Sequence, residues 1–219
     1  MTEKNRTRRT YHSKRREAQA QETRRQISEA ARLLFVTHGY SGTSIEAIAR
    51  EAGVAPETVY AIFGNKKSIL VHLVHTSLTG DEEPIPLLER PGPQAVKAEQ
   101  IQGRQVQMFA SDICAIMKRV APLFEIMNTA SQTESEINEL LNHLLEERLK
   151  GMSFFISALS ANGSLHAGMN LNPASETTWV ITSAEVFNLL TKKRGWSDEQ
   201  YTDWLTECLI RLLLLEQSI

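Results

Sequence analysis

The chain has 219 residues, with 42% hydrophobic and 23% charged side chains and a formal net charge of −2. That composition supports one large core or two modest ones and excludes an intrinsically disordered chain. No apolar run reaches the roughly 20 residues of a membrane helix. The polar, basic N-terminus lacks the apolar segment of a secretory signal, so a cytoplasmic protein is expected.

The small net charge hides an asymmetry. Residues 1–70 hold 13 Lys/Arg against 7 Asp/Glu, whereas residues 71–219 hold 11 against 19. A basic first third on an acidic remainder predicts that only the first part meets a polyanion. Arg6, Arg8, Arg9, Lys14, Arg15 and Arg16 carry much of the excess, and a merely solvated tail is the alternative reading. Residues 1–22 are read as a basic N-terminal arm.

From Glu22 to His38 the apolar positions Ile27, Ala30, Ala31, Leu34 and Phe35 follow the spacing of an amphipathic helix, which Gly39 ends. Thr43-Ser-Ile-Glu46 fits a capping box, with the Thr43 hydroxyl at the N-cap. It opens a second helix presenting Ile45, Ile48, Ala49 and Ala52 and stopping at Gly53. Pro56 then suits the first turn of a third helix, barely two turns long, running to Phe63. Val59 and Phe63 pack inward there, leaving Pro56, Glu57, Thr58, Tyr60 and Ala61 toward solvent. Two helices joined by a short Gly-containing turn make a helix-turn-helix, whose second member can enter a major groove.

The next helix opens against its own field. Asn65 is placed as its N-cap, with Lys66 and Lys67 at the first two positions, where a helix start disfavours cations. The expected compensation is the DNA backbone: Lys66, Lys67 and Tyr60 suit phosphate oxygens, and Thr58 and Ala61 suit close approach to base edges.

Residues 23–70 resemble the DNA-binding domain of the TetR family of transcriptional regulators. The resemblance runs through Arg25-Gln-Ile27, Ala30-Ala31, Leu34-Phe35, Gly39-Tyr40, Thr43-Ser44-Ile45, Ile48-Ala49, Ala52-Gly53-Val54, Thr58-Val59-Tyr60, Phe63 and Asn65-Lys66. It implies that Thr43, Thr58, Tyr60 and Lys66 occupy positions that commonly contact operator DNA. Ala55 departs from it where a capping Ser or Thr is usual. Ile62 departs where a polar or aromatic residue often meets a phosphate.

For residues 71–219 the resemblance implies architecture only: a helical domain that binds an effector and dimerises. The fold class is thus all-α, a helix-turn-helix DNA-binding domain followed by a larger helical ligand-binding and dimerisation domain. Helix four is expected from Lys66 to about Leu78, followed by a breaker-rich connection through Arg90-Pro-Gly-Pro93. Helical patterns resume from Gln94 to about Lys118, break near Pro122 and continue to Thr129. Another spans Glu134 to about Leu159, and Ser160 to Pro173, with Gly163 and Gly168, reads as a loop. A helix near Ser175–Lys192 carries Trp179, Thr182, Ser183, Val186, Phe187 and Leu190 on one stripe. The last, Ser197–Leu215, opens with a Ser197-x-x-Gln200 capping box and carries Tyr201, Trp204, Leu205, Cys208, Leu209 and Leu212.

Leu212 to Leu215 is apolar around the whole helix and needs cover on all sides. The resemblance implies a four-helix homodimer interface there, with Trp179, Val186, Phe187, Trp204, Cys208, Leu209 and Leu212 as candidates. Burial within one subunit is the alternative. Met108, Phe109, Met117, Phe124, Met127, Phe154 and Phe155 are candidate effector-pocket residues, with ordinary core packing as the alternative. Few charges interrupt these stripes, so an apolar or weakly polar effector is expected.

Enzyme chemistry finds little purchase. His72 and His75 lack a third ligand, and His143 with Glu147 lies in a charged segment, so no metal site is expected. Neither a phosphate-binding Gly loop nor a nucleophile elbow occurs. Cys114 and Cys208 read as buried thiols of a reducing compartment, with a redox pair as the alternative. The expectation is a non-enzymatic, cofactor-free, homodimeric repressor released from a palindromic operator by a small molecule.

Overall fold

A computed structural model describes the backbone of residues 3–166 and 169–214, with side chains from Ala18 onward. Gly168, Leu215 and the side chains of the basic residues before Ala18 lie outside what is described. The chain divides into two compact units, residues 1–73 and 74–219.

In the first unit, α1 (Glu3–His38), α2 (Ile45–Glu51) and α3 (Pro56–Phe63) precede α4 (Lys66–Thr79), within which the boundary between the units falls. Helix α1 begins at Glu3, well before the Glu22 start expected from apolar spacing. Ile27, Ala31, Phe35, Ile48, Val59, Ile69 and Leu70 are fully or almost fully buried, so the predicted apolar stripes build this core. Gly39 and Gly53 end their helices at φ +72° and +67°, in the left-handed region where a side chain is strained.

One cap differs from expectation. The N-cap of α2 is Ser44, whose hydroxyl accepts from the Ala47 N–H at 3.1 Å. Thr43 instead turns inward and donates to the Gly39 carbonyl at 2.8 Å. Two adjacent hydroxyls compete for one cap, and the one facing solvent holds it.

The second unit contains α5 (Pro91–Ala98), α6 (Gln102–Ala130), α7 (Ser135–Ala161), α8 (Leu171–Ile181), α9 (Ala184–Asn188) and α10 (Asp198–Leu213). A 3-10 turn at Leu87–Glu89 precedes α5, and a π turn at Leu189–Lys193 follows α9. Helix α6 packs against α7, α9 and α10, and α7 against α8. The capping box at Ser197 and Gln200 is formed.

Three boundaries depart from the sequence reading. The break expected near Pro122 is absent, and α6 runs through it. A helix-interior proline costs about 3 kcal/mol. Val120, Ala121, Leu123 and Phe124 around it are all buried, at roughly 1.5–3 kcal/mol per large apolar side chain, so packing prevails. The real break lies at 99–101, where the Glu99 carboxylate accepts the N–H groups of Gln100 and Ile101, both at 2.9 Å. The expected helix over 175–192 is also divided: Ser183 caps α9 by accepting from the Val186 N–H at 3.3 Å.

The loop after α4 is organised by one arginine. Buried Arg90 donates to both Asp81 oxygens at 2.7 Å and to the carbonyls of Thr79, Glu83 and Ile85. That pairing, with the Glu83 N–H, holds the Asp81 carboxyl down at about 2. A carboxyl depressed in the folded state stabilises fully above its unfolded value of about 4 and loses that contribution as pH falls toward 2. Asp81→Asn should therefore raise protease cleavage within residues 80–90 at neutral pH, and wild type should gain the same sensitivity only near pH 2–3.

Leu209 and Phe187, expected at a dimer interface, are buried within the second unit of a single chain, Leu209 with no exposed surface. Leu212 is 41% exposed. Leu209→Asp should cost several kcal/mol in urea unfolding, because it buries an unpaired charge. Leu212→Asp should shift the stability of the isolated subunit by less than about 0.5 kcal/mol.

Candidate functional site

The surface around α3 gathers most of the predicted contact residues. Glu57, Tyr60 and Ala61 are exposed, and Pro56, Thr58 and Ile62 are half-buried. Val59 and Phe63 turn inward as expected. Ala55 makes no side-chain cap, so α3 starts on Pro56 alone. Among the described residues neither the Thr58 hydroxyl nor the Tyr60 hydroxyl has a hydrogen-bond partner, which leaves both available to a ligand. Thr43 is placed differently: it is buried, with its hydroxyl engaged by Gly39.

Lys66 has its compensation inside the chain. Its Nζ donates to the carbonyls of Tyr40 at 2.9 Å and Thr43 at 3.0 Å, and lies 4.1 Å from the centre of the Tyr40 ring. Asn65 caps the same helix through the Ser68 N–H at 2.8 Å. An ammonium has three donors, so one remains for an external anion. Half-buried Lys67 has no bonded partner among the described residues. Arg24 braces the opposite side, over the Phe63 ring at 4.7 Å and 3.3 Å from His72 Nδ1. Half-buried His72 is thus engaged within this unit.

The second unit encloses a cavity of about 510 Å³. Of the residues predicted to line a pocket, Phe109, Met117, Phe124, Phe154 and Phe155 do so. Phe109 and Phe155 stack with ring centres 3.7 Å apart. Met127 is instead fully buried in the core, and Met108 is half-buried away from the cavity. Leu78, near the end of α4, contributes to the wall. Arg119 closes that helix end by donating to the carbonyls of Ser77 and Leu78 at 2.8 and 3.3 Å.

The wall is more charged than expected, with Glu89, Lys97, Asp112, Glu147, Arg148 and Lys150 among its residues. Lys150 pairs with Glu147 at 2.5 Å, and Lys97 lies 5.4 Å from the Phe154 ring centre. Asp112 lies against Gly92, and burial raises its carboxyl above the usual range. The sequence carries a signal for two of these. Arg148 interrupts the apolar i+4 series Leu144, Met152, and Asp112 interrupts Phe109, Ile116. A charge inside an apolar stripe marks a buried charge or a site.

The candidate dimer residues divide in the same way. Trp179 is tied within the subunit: its indole N–H donates to the Leu145 carbonyl at 3.1 Å, and Arg148 lies over its ring at 5.2 Å. Val186, Trp204 and Cys208 are half-buried, and Leu212 is exposed. Both cysteines are free, and burial raises both thiols. Among the described residues no three His, Cys, Asp or Glu converge as metal ligands, and no helix is long and apolar enough to cross a membrane.

Residues 27–73 match the model of bacterial regulatory proteins of the tetR family. The chain's helix-turn-helix region therefore belongs to the tetR family. It is similar to the HTH-type transcriptional regulator HbdR of Aromatoleum sp. (strain CIB), with 42% identity over 66 residues. That match covers 30% of this chain and only 29% of the relative's length. NalD of Pseudomonas aeruginosa, the secondary repressor of an efflux pump, shares the fold at TM-score 0.67 and 21% identity, covering 90% of this chain and 99% of its own. FadR of Bacillus subtilis, in complex with stearoyl-CoA, does so at TM-score 0.62 and 19% identity, covering 84% and 96%. The fold is therefore shared with these chains along most of its length, while the family model spans residues 27–73.

Lys66→Ala should destabilise this unit by about 1–3 kcal/mol, because it strips a charged donor from two carbonyls. Lys67→Ala should leave stability within about 0.5 kcal/mol. Equal melting temperatures for the two variants would show that the carbonyl bonds contribute nothing.

Proposed function

We propose that this protein is a sequence-specific DNA-binding repressor, released from a palindromic operator by a small apolar or weakly polar effector. The observation that carries it is the α3 surface: Thr58 and Tyr60 with free hydroxyls, flanked by Lys66 and Lys67 at the start of the next helix. Thr58 is assigned to base edges, and Tyr60, Lys67 and the remaining Lys66 donor to phosphates. Pro56 and Glu57 set the approach of the helix start. The buried Thr43 hydroxyl shapes the turn, and any DNA contact by Thr43 would be through its backbone. The basic arm adds phosphate contacts beside the groove.

Two recognition helices must meet two half-sites, which calls for a homodimer. Leu189, Ile210 and Leu212 expose apolar side chains, and Val186, Trp204 and Cys208 are half-buried, so each could contribute to such an interface. The 510 Å³ cavity falls within the usual range for small-molecule sites and takes the effector. Helix α4 carries Lys66 and Lys67 at its start and Leu78 in the cavity wall, so one continuous helix links effector to reader. To release DNA the effector must favour the released state, by about 1.4 kcal/mol for each tenfold loss of operator affinity.

Selection of bound fragments from random DNA by the purified protein should recover a palindromic consensus. On that operator, Thr58→Ala should change preference at one position per half-site. Lys67→Ala should weaken all sequences alike and make the salt slope shallower by about one unit. Featureless recovery of DNA, or unchanged salt dependence for Lys67→Ala, would overturn the reading.

A further inference from the structure

Of the charges in the cavity wall, two are half-buried without an ion-pair partner among the described residues, Asp112 on α6 and Arg148 on α7. They differ in what they can do about it. A carboxyl in apolar surroundings can take a proton and become neutral, and burial pushes Asp112 in that direction. A guanidinium keeps its charge at any physiological pH. Burial lowers Arg148 only to about 10.

The donors of Arg148 are also incompletely used. Its Nη2 donates to the Trp179 carbonyl and, at 2.9 Å, to the Thr182 hydroxyl. Its Nε is buried without an acceptor, and Nη1 has none among the described residues. Buried Tyr201 Oη, which interacts electrostatically with Arg148, is unpartnered too. The bonds to Trp179 and Thr182, and the indole face beneath, hold the guanidinium in one orientation. Such an arrangement is pre-positioned for an anion, and a charge-assisted bond there is about twice as strong as a neutral one.

We infer that Arg148 is the polar anchor of the effector cavity, and that the effector is an apolar molecule bearing a single carboxylate. Its apolar body lies along Phe109, Phe124, Phe154 and Phe155, and its carboxylate accepts from Arg148. This inference rests on the cavity being the effector site. It keeps the apolar body of the effector proposed above and replaces its weakly polar head by an anionic one.

Three probes with one chain and different heads decide it: decanoate, decanol and decylamine, titrated calorimetrically against the full-length protein. Decanoate should bind about tenfold tighter than decanol, and decylamine weakest. Arg148→Gln should remove the decanoate preference while leaving decanol within about twofold, and Arg148→Lys should restore part of it. Thermal unfolding of each variant verifies that it is folded, and the decanol titration reads the cavity even where Arg148→Gln is less stable. Equal affinity for decanoate and decanol in wild type, or an unchanged preference in Arg148→Gln, overturns the anchor and leaves the cavity reading intact. Tightest binding of decylamine, abolished by Asp112→Asn, would reassign the anchor to Asp112. Absence of binding by all three would overturn both the anchor and the cavity as an apolar-ligand site, without touching DNA recognition.

Discussion

Helix starts and helix ends leave carbonyls and amides that the helix itself cannot satisfy, and much of this molecule is arranged around that constraint. Lys66 is the clearest instance. Its ammonium sits at the start of α4, where the local field repels it, yet it donates to the carbonyls of Tyr40 and Thr43 in the turn between α1 and α2. The cost of a cation at a helix start, about 0.3–1 kcal/mol, is offset by two charge-assisted bonds and the Tyr40 ring. The turn before the helix-turn-helix and the helix after it are thereby joined by one side chain. Arg119 at the end of α4 and Arg90 in the following loop solve the same problem with guanidinium groups.

This arrangement separates structural cations from available ones. Lys66, Arg90 and Arg119 are committed to carbonyls, so their presence in a basic or loop segment says little about ligands. Lys67 and the half-occupied Arg148 are cations of the two candidate sites whose donors remain open among the described residues, and Lys66 keeps one. Counting charges along the chain cannot make that distinction, because it depends on which carbonyls happen to lie within reach. The two units then divide the work by polarity. The first presents two hydroxyls on α3 and a cation at the start of α4. The second lines a cavity with aromatic side chains and holds the half-buried Arg148 guanidinium in its wall.

The first unit was largely legible in the sequence because its signals are local. Apolar spacing placed α2, α3 and α4 within a residue or two, and Gly39, Gly53 and Pro56 marked their limits. The Ser197 and Gln200 capping box set the start of α10 for the same reason. Failures arose where a non-local term outweighed a local one. Pro122 is a breaker by propensity, but its buried neighbours hold α6 together. Ser183 looked like part of an apolar stripe, but its hydroxyl caps α9. Thr43 and Ser44 are equivalent cap residues in sequence, and only the inward position of Thr43 decides between them. Five of the seven aromatic and sulfur residues proposed for the cavity line it, because stripes facing one core tend to converge. Met127 shows the limit of that logic: methionine fills core gaps as readily as it lines sites.

A fixed charge in an apolar wall also bears on how a ligand could act at a distance. Holding Arg148 away from water costs the free protein several kcal/mol less whatever its two acceptors and the indole return. A carboxylate ligand would recover part of that cost only in the conformation where Arg148 faces the cavity. An apolar body alone fills space in any conformation that keeps the cavity open, and so discriminates weakly between states. On the reading proposed above, the charge would supply what chain length cannot, a difference in affinity between conformations, because the same guanidinium ties α7 to Trp179 and Thr182 at the end of α8. Only that difference, and not the total affinity, can be transmitted to DNA binding.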